Sequence, residues 1–400
     1  MKKTLVALAA LAAASAFAQT TVSISGNADV AIGSKEAITG TGTQFLKSSG
    51  VSDGGMFPNR IFIRVSEDLG GGMKFNFVNE HGFSPTSTSD WSFRTVNAAP
   101  SLLGTSASAA SSDNVIPGSG AIDQRTNRGT YVGLQGSFGE FRAGYLVNDS
   151  YNLSSQSGYL LGMEQYGGLT HTAGQGETGG ARGNGVQYIS PVMNGFKLSL
   201  QQGSGDQREE TTSTAVNNGY TANIERRTGI RVDYANGPLN LGYARTMFTN
   251  AKATAGGGVV TNVFGVVGTT NAAEKNQQNT LDQLAAAYTV GQWKAIATVS
   301  KAKVDDLLAA NADRTIKANS YGVQYTTGAW TAYGQGGKHT QDSATARVNN
   351  MTQTQYGVKY ALSKRTTAYY VTGENKDTAV TGATQIAKGK VSLLGLAHAF

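Results

Sequence analysis

The amino-acid sequence predicts an all-β chain whose strands close into a sixteen-stranded antiparallel transmembrane β-barrel. Three observations carry this expectation. Apolar and polar residues alternate with period two in many short runs, the connections between those runs alternate between tight and long, and a tyrosine recurs at one position before the tight turns. A mean hydropathy of −0.26 fits, because strands with one face in lipid and one in water average to near zero.

The chain opens with a basic tip, Lys2 and Lys3, then an apolar run from Leu5 to Ala14 and the small-residue segment Ser15-Ala16-Phe17-Ala18. This is the pattern of a secretory signal peptide over residues 1–18 with an A-x-A cleavage site, which leaves 19–400 as the barrel. A membrane-spanning helix needs about 20 apolar residues, roughly twice this run. Loss of Lys2 and Lys3 lowers the formal charge from +7 to +5, a mild basic balance that does not by itself imply nucleic acid. With 52 Gly, 6 Pro and no Cys, a secreted chain of this size has no disulfide framework and depends on strand pairing and burial.

Strands are expected near 20–34, 59–67, 72–83, 125–137, 138–147, 184–190, 195–203, 228–236, 238–248, 278–290, 291–303, 316–327, 329–340, 352–361, 365–376 and 387–400. In the second, Ile61, Ile63 and Val65 share one face while Arg60, Arg64 and Ser66 share the other, since successive strand side chains point oppositely. Alternation alone would also suit a soluble sandwich. The connections decide between them. Tight turns fall around Asp68-Leu69-Gly70, Gly136-Ser137-Phe138, Pro191 to Asn194, Asn236-Gly237-Pro238, Gly291-Gln292, Thr327-Gly328 and Ser363-Lys364-Arg365, with longer Ser/Thr/Gly/Asn-rich segments between. Short turns at one end and long loops at the other, with an even strand number, mark outer-membrane barrels.

Before the tight turns stand Val186-Gln187-Tyr188, Val232-Asp233-Tyr234, Ala286-Ala287-Tyr288, Val323-Gln324-Tyr325 and Val358-Lys359-Tyr360, and Trp293 and Trp330 follow two of them. Amphipathic rings at one height form a girdle at a membrane interface. The last strand ends Leu394, Leu396, His398, Phe400, all of one parity. It must pair with the first strand, because lipid tolerates no open sheet edge, and His398 then reads as a girdle residue.

The segments SEDLGGG from Ser66, YVGLQGSFGEFRAGY from Tyr131, NGVQYISP from Asn184, DYANGPLNLGY from Asp233, YALSKRTTAYY from Tyr360 and the terminal HAF from His398 resemble the general-diffusion porins of Gram-negative bacteria, in the branch with a basic pore. Residues 35–58, 84–124 and 248–277 carry no resemblance. The resemblance implies an outer-membrane homotrimer of sixteen-stranded barrels, surrounded by lipid and lipopolysaccharide, each with the third long loop folded into the lumen as a constriction. Here that loop is about 148–183 and carries Asp149, Glu164 and Glu177, with no Lys or Arg before Arg182. In such porins the loop acids face wall arginines, which by motif are Arg60, Arg128 and Arg182, with Arg64 and Arg142 as neighbours. Parity places Arg60, Arg64 and Arg142 inward. The alternation around Arg128 is mixed, and Arg182 shares the parity of outward Val186 and Tyr188 unless Gly183 and Gly185 break the register.

The function implied is passive diffusion of small hydrophilic solutes, anions in preference. The parity reading puts Arg60, Arg64, Lys74, Arg142, Lys197, Arg231, Lys294 and Lys359 inward against fewer acids, Glu80, Glu140 and Asp233, and basic pore linings favour anions. A substrate-specific channel for sugars or carboxylates is the alternative, and it should show a continuous aromatic track in the lumen. No enzyme is expected: His81, His171, His339 and His398 stand beside no recognisable nucleophile motif. The Gly-rich stretch 174–185 lacks the GK[ST] ending of a phosphate loop. No cofactor or transition-metal site is expected from a chain without Cys and with few His, and calcium stays open.

N-terminal sequencing of the protein from outer membranes is expected to begin at Gln19. A start at Met1 would contradict an export route by leader cleavage.

Overall fold

Strand formation follows the two-residue period. In β3 (Arg60–Gly70) and β4 (Met73–Gly82) the paired residues Arg64↔Val78 and Phe62↔Glu80 lie on the inner face, and Val65↔Phe77 and Ile63↔Asn79 on the outer. The pattern continues through β5 (Asn127–Gly136), β6 (Gly139–Val147), β7 (Arg182–Ile189), β8 (Phe196–Ser204), β9 (Arg226–Asn236) and β10 (Leu239–Thr249). After a short hairpin, β11 (Val259–Thr261) and β12 (Val267–Thr269), it resumes in β13 (Gln278–Val290), β14 (Trp293–Val304), β15 (Arg314–Thr327), β16 (Trp330–Asp342), β17 (Arg347–Ala361), β18 (Thr366–Asp377) and β19 (Ile386–Ala399). This computed structural model describes residues 20–39, 44–53, 55–86, 127–153, 159, 161–162, 182–204, 226–249, 259–261, 267–269, 278–304, 313–342, 347–378 and 386–400. The expected leader 1–18 lies outside them, as do Glu164, His171 and Glu177.

All neighbouring strands are antiparallel, and β19 returns to β1 (Thr21–Thr39) over the register Asn27↔Ala399 to Thr39↔Ile386. The barrel thereby closes with sixteen strands around its wall. The terminal residue completes the seam: Gly26 N–H donates to Phe400 O at 2.9 Å and Phe400 N–H to Gly26 O at 3.0 Å. Each such pairing matters more here than in a soluble sheet, since no water in the bilayer can satisfy a free edge.

One expectation needs correction. Residues 35–58, expected as a loop, are partly strand: β1 runs on to Thr39 and folds back as β2 (Gln44–Asp53). The lower part of β1, Thr21 to Asn27, pairs with β3, and the upper part, Val30 to Ile38, with β2. Thus β2 and β3 share one place in the wall. The segment between them turns inward and is held by Asp29, fully buried. Its carboxylate accepts the N–H groups of Met56 at 2.7 Å and Phe57 at 2.9 Å and the hydroxyl of Tyr369 at 2.7 Å. The sequence of 35–58 lacks a sustained apolar–polar alternation, which hides its strand character.

The barrel is turned inside out relative to a soluble protein. Exposed large apolar side chains, among them Ile24, Phe141, Leu200, Leu284 and Leu394, lie on the outer face, while Asn279, Gln283, Gln355 and Thr246 are buried within. The repeated tyrosines stand outward near the tight turns and pack in pairs: Tyr188 on Phe141 (ring centroids 4.8 Å), Tyr234 on Phe196 (4.5 Å), Tyr325 on Trp293 (4.7 Å) and Tyr360 on Trp330 (4.6 Å). The turns are tight because Gly291 and Gly328 take φ of 55° and 56°, a left-handed conformation that side chains disfavour.

Candidate pore constriction

Two strands on one side of the barrel, β3 and β6, carry guanidinium groups on their inner faces. Arg60 and Arg64 of β3 flank Phe62 of the same face, their guanidinium carbons 5.5 and 4.3 Å from its ring centroid. Arg142 of β6 lies 4.7 Å over the ring of Tyr131 of β5. Stacking on aromatic faces fixes the planar cation and leaves its edge donors free to turn toward the lumen. Arg60 Nη1 meets Glu80 Oε1 at 3.1 Å, Arg142 Nη2 meets Glu140 Oε2 at 2.6 Å, and Arg64 donates to the Ser25 hydroxyl.

Further round the wall β9 adds Arg227 and Arg231, both buried. Arg231 binds Asp233 through Nη2 at 2.8 Å and Nε at 3.0 Å, with Lys197 of β8 at 3.8 Å from the same carboxylate. Sequence reasoning counted Arg231 among inward charges without placing it in the constriction, and did not name Arg227. The spacings Glu140-x-Arg142 and Arg231-x-Asp233 were a usable signal, because residues two apart share a face. The Arg60–Glu80 pair depends on cross-strand register and had no such signal.

The inserted loop is fixed to the wall from β7 round to β17. It leaves β6 through Asn148, which accepts from Ser150 N–H at 3.1 Å and from the Thr246 hydroxyl at 3.0 Å, and enters a helical turn, Asp149–Tyr151. Leu153, Tyr159 and Leu161 then pack against Ala244, Ala285, Ala287, Ile296 and Tyr333 in a core inside the barrel. Gly242 makes room for this, since a Cβ there would collide with Leu153. At Leu161 the N–H donates to Gln335 Oε1 at 3.1 Å and the carbonyl accepts from the Lys359 ammonium.

Asp149 was expected to present negative charge to the wall arginines across the channel. It is instead turned into the wall and 1% exposed. Ser199 Oγ lies 3.0 Å from both of its oxygens, and Gln187 Nε2 donates to Oδ1 at 3.0 Å. Burial pushes its carboxyl up, against the opposing pull of the Ser199 hydroxyl, Arg231 and Gln187. The nearby Tyr159 phenol is pushed up to about 12, first by burial and then by Asp233. Among the described residues the acids touching the arginines are therefore wall residues, Glu80, Glu140 and Asp233. Glu164 and Glu177 lie outside those residues, as does the side chain of Arg128, whose backbone belongs to β5.

Arg182 opens β7 opposite Val147, and the register runs unbroken through Gly183 and Gly185. The register break that would have turned it inward does not occur. Its guanidinium still reaches the loop, 5.0 Å over the ring of Tyr151, because a side chain at a strand end can fold over the rim.

A closed sixteen-stranded wall, outward aromatics near the turns, an inward basic ladder and a loop bonded inside the lumen define an outer-membrane β-barrel of the channel class. The chain belongs to the Gram-negative porin family, whose model matches residues 4–379, and its place is the outer membrane. It is 31% identical over 273 residues to outer membrane porin protein 32 of Delftia acidovorans, an alignment spanning 65% of this chain and 63% of that protein. In structure it is similar to an anion-selective porin from Comamonas acidovorans (TM-score 0.63, 20% identity, 96% of this chain and 100% of that one). It is also similar to OmpT of Vibrio cholerae in a trimer form (TM-score 0.62, 13% identity, 95% and 99%).

Replacing Asp149 by Leu removes every bond from Ser199 and Gln187 to this anchor, where hydrogen bonds to a charged group contribute roughly 1.5–3 kcal/mol each. The D149L channel is expected to show larger current fluctuations in planar bilayers than the native protein, whereas D149N, which keeps the Oδ1 acceptor, stays quiet. Because burial raises this carboxyl, its ionisation works against the folded anchor. Current noise should rise as pH climbs through its titration in the native channel, and that rise should be absent in D149N.

Proposed function

We propose that the protein is a passive diffusion channel for small hydrophilic solutes with a preference for anions, exported by cleavage after Ala18 and working as a homotrimer. One observation carries the reading: strand register puts Arg60, Arg64, Arg142, Arg227 and Arg231 on the inner face, with Lys74, Lys197, Lys294 and Lys359. Fixed cations around a wet passage lower the barrier for anions and raise it for cations. The wall carboxylates reduce that bias by pairing, so Arg64, bonded only to a neutral hydroxyl among the described residues, weighs more than its position alone suggests. No energy source is required. Chloride, phosphate and small carboxylates are the solutes this field favours.

The alternative, a sugar-specific channel, would need open aromatic faces along the passage. The inward rings argue against it: Phe62 and Tyr131 are covered by guanidinium groups, while Tyr333 and Tyr369 are buried. His398 lies outward, bonded to the Thr366 hydroxyl at 2.9 Å, away from any solute path.

A zero-current potential measured across a planar bilayer under a KCl gradient should take the sign of chloride selectivity, and a potassium sign would refute the assignment. R60A removes one cation and leaves Glu80, 5% exposed, without that partner. A unit charge acting over about 10 Å in water contributes roughly 0.4 kcal/mol, so the chloride preference should fall about twofold or more, while I61V on the outer face leaves it unchanged. The preference should also shrink in 1 M salt, where the Debye length is about 3 Å.

Gel migration without boiling should show a trimer that collapses to one barrel on heating. A single barrel after mild extraction would contradict the assembly.

A further inference from the structure

Burial inside the barrel is uneven, and it locates the path a solute takes. From β9 round to β18 inner side chains are covered, among them Arg231, Gln283, Ser320, Gln355 and Val371. On β3 and β6 they stay open to the lumen: the side chains of Arg60 and Arg142 are 15% and 25% exposed, and Arg64 is exposed outright. Leu153 and Leu161 of the inserted loop cover part of the wall, against Gly242 of β10 and Gly322 of β15. On β18, β19 and β1 the buried cluster continues through Tyr369, Val371, Leu393, Ala397 and Ala31, and the residue set among them from outside the wall is Met56.

Met56 belongs to the segment 55–59 that joins β2 to β3, and this segment overhangs the inner wall instead of continuing it. Tyr369 of β18 leans across β19 over Gly395, where a Cβ would strike its ring, and its hydroxyl reaches Asp29 on β1 at 2.7 Å. Gly55 abuts the same ring: a Cβ there would lie 2.7 Å from two of its carbons. The inserted loop is seated in a matching way. Tyr333 of β16 leans across β17 over Gly357, and Gly162 of the loop abuts its hydroxyl end. Each socket is a wall glycine, a tyrosine lying on it and a glycine of the overhanging segment, because only a residue without Cβ lets a backbone approach so closely. The sockets stand side by side. Lys359 of β17 lies between them, directly opposite Tyr369 and 4.8 Å from the ring centroid of Tyr333.

We propose that residues 55–59 are a second jaw of the constriction, seated by Asp29 and Tyr369, which confines solutes to the basic wall of β3 to β6 and helps set the size limit of the passage. Asp29 is the positioning residue. Its carboxylate gathers Met56 N–H, Phe57 N–H and the Tyr369 hydroxyl, and its own N–H donates to Asn59 Oδ1 at 2.5 Å. Asn59 leads directly into Arg60, so the clamp that draws the segment over the wall also fixes the start of the strand that carries Arg60 and Arg64. The inference rests on the channel reading above and adds to it which wall the solutes follow and what limits their size.

The full-length protein folded in vesicles tests the proposal with neutral solutes, for which the loss of a charge has no direct effect. The swelling rate in a neutral trisaccharide, relative to that in a neutral pentose, should rise severalfold in D29A and in G55A, and less in Y369F, which keeps the ring and loses one hydrogen bond. The chain has no cysteine, so M56C supplies a single thiol. A water-soluble maleimide should spare it in the otherwise native protein and label D29A/M56C about tenfold faster or more, since hydrogen bonds to a charged acceptor have been removed. If D29A does not fold, G55A, which leaves the Asp29 carboxylate in place, carries the same expectation. Failure of D29A, G55A and Y369F alike to fold would overturn the proposal, by making the contact a requirement of barrel closure. An unchanged size ratio in folded D29A and G55A would overturn it, as would rapid labelling of M56C alone. A lower unfolding temperature in D29A with size ratio and thiol protection intact would assign Asp29 to fastening the seam and overturn it too. Any of these results beside a chloride-selective potential in the native protein would leave the channel reading standing, whereas a potassium sign would strike that reading and leave the size measurement untouched.

Discussion

Every backbone N–H and C=O that meets lipid must find its partner in the chain, and the architecture depends on that constraint. An open sheet would expose two edges to hydrocarbon, at a cost of several kcal/mol for each unsatisfied group. Pairing β1 with β19 removes both edges. The seam is finished by the last residue, whose N–H and C=O both bond to Gly26. Closure in turn fixes which residues face inward, because a one-residue slip of any strand would move its whole set of side chains to the other face.

Closing a sheet of this size leaves an interior too wide for wall side chains alone to fill, and the inserted loop occupies part of it. Its attachment combines the two ways a buried segment can be held. Leu153, Tyr159 and Leu161 bury apolar surface against small wall residues such as Ala244 and Ala285, and Asn148, Asp149 and Leu161 settle polar groups on Thr246, Ser199, Gln187 and Gln335. A buried carboxylate is costly unless its oxygens are bonded, and Asp149 meets that condition with wall donors. The Asp149 carboxyl therefore serves attachment through its bonds to wall donors, while the acids that temper the lumen come from the wall.

The inner and outer surfaces solve opposite electrostatic problems. Inside, water allows cations and anions to stand two residues apart, as Glu140 with Arg142 and Arg231 with Asp233, so the field is a sum of nearly balanced terms with a positive remainder. Outside, charge is confined to the height where the apolar band ends, because a lysine at the bilayer midplane costs about 2–4 kcal/mol on a barrel's lipid face.

The strands were legible because barrel strands are amphipathic with period two: the residues of β3, β8 and β13 announce their faces through Ile63, Leu200 and Leu284 without knowledge of their neighbours. The tight turns were legible through Gly and Asn, and the girdle through tyrosines repeated at one offset. The β2 half of the hairpin β1–β2 was not, since its sequence, QFLKSSGVSD, lacks a sustained apolar–polar alternation. Pairing across strands was also out of reach. Which acid meets Arg60 and that Arg182 folds over the rim onto Tyr151 are properties of register and of a loop returning through space. By itself the sequence determined the class of wall and the sign of its inner face, because side-chain alternation is local. The tertiary structure alone decided that Asp149 is an anchor, because two chain segments some fifty residues apart, at Asp149 and Ser199, meet only when the barrel has closed around the loop.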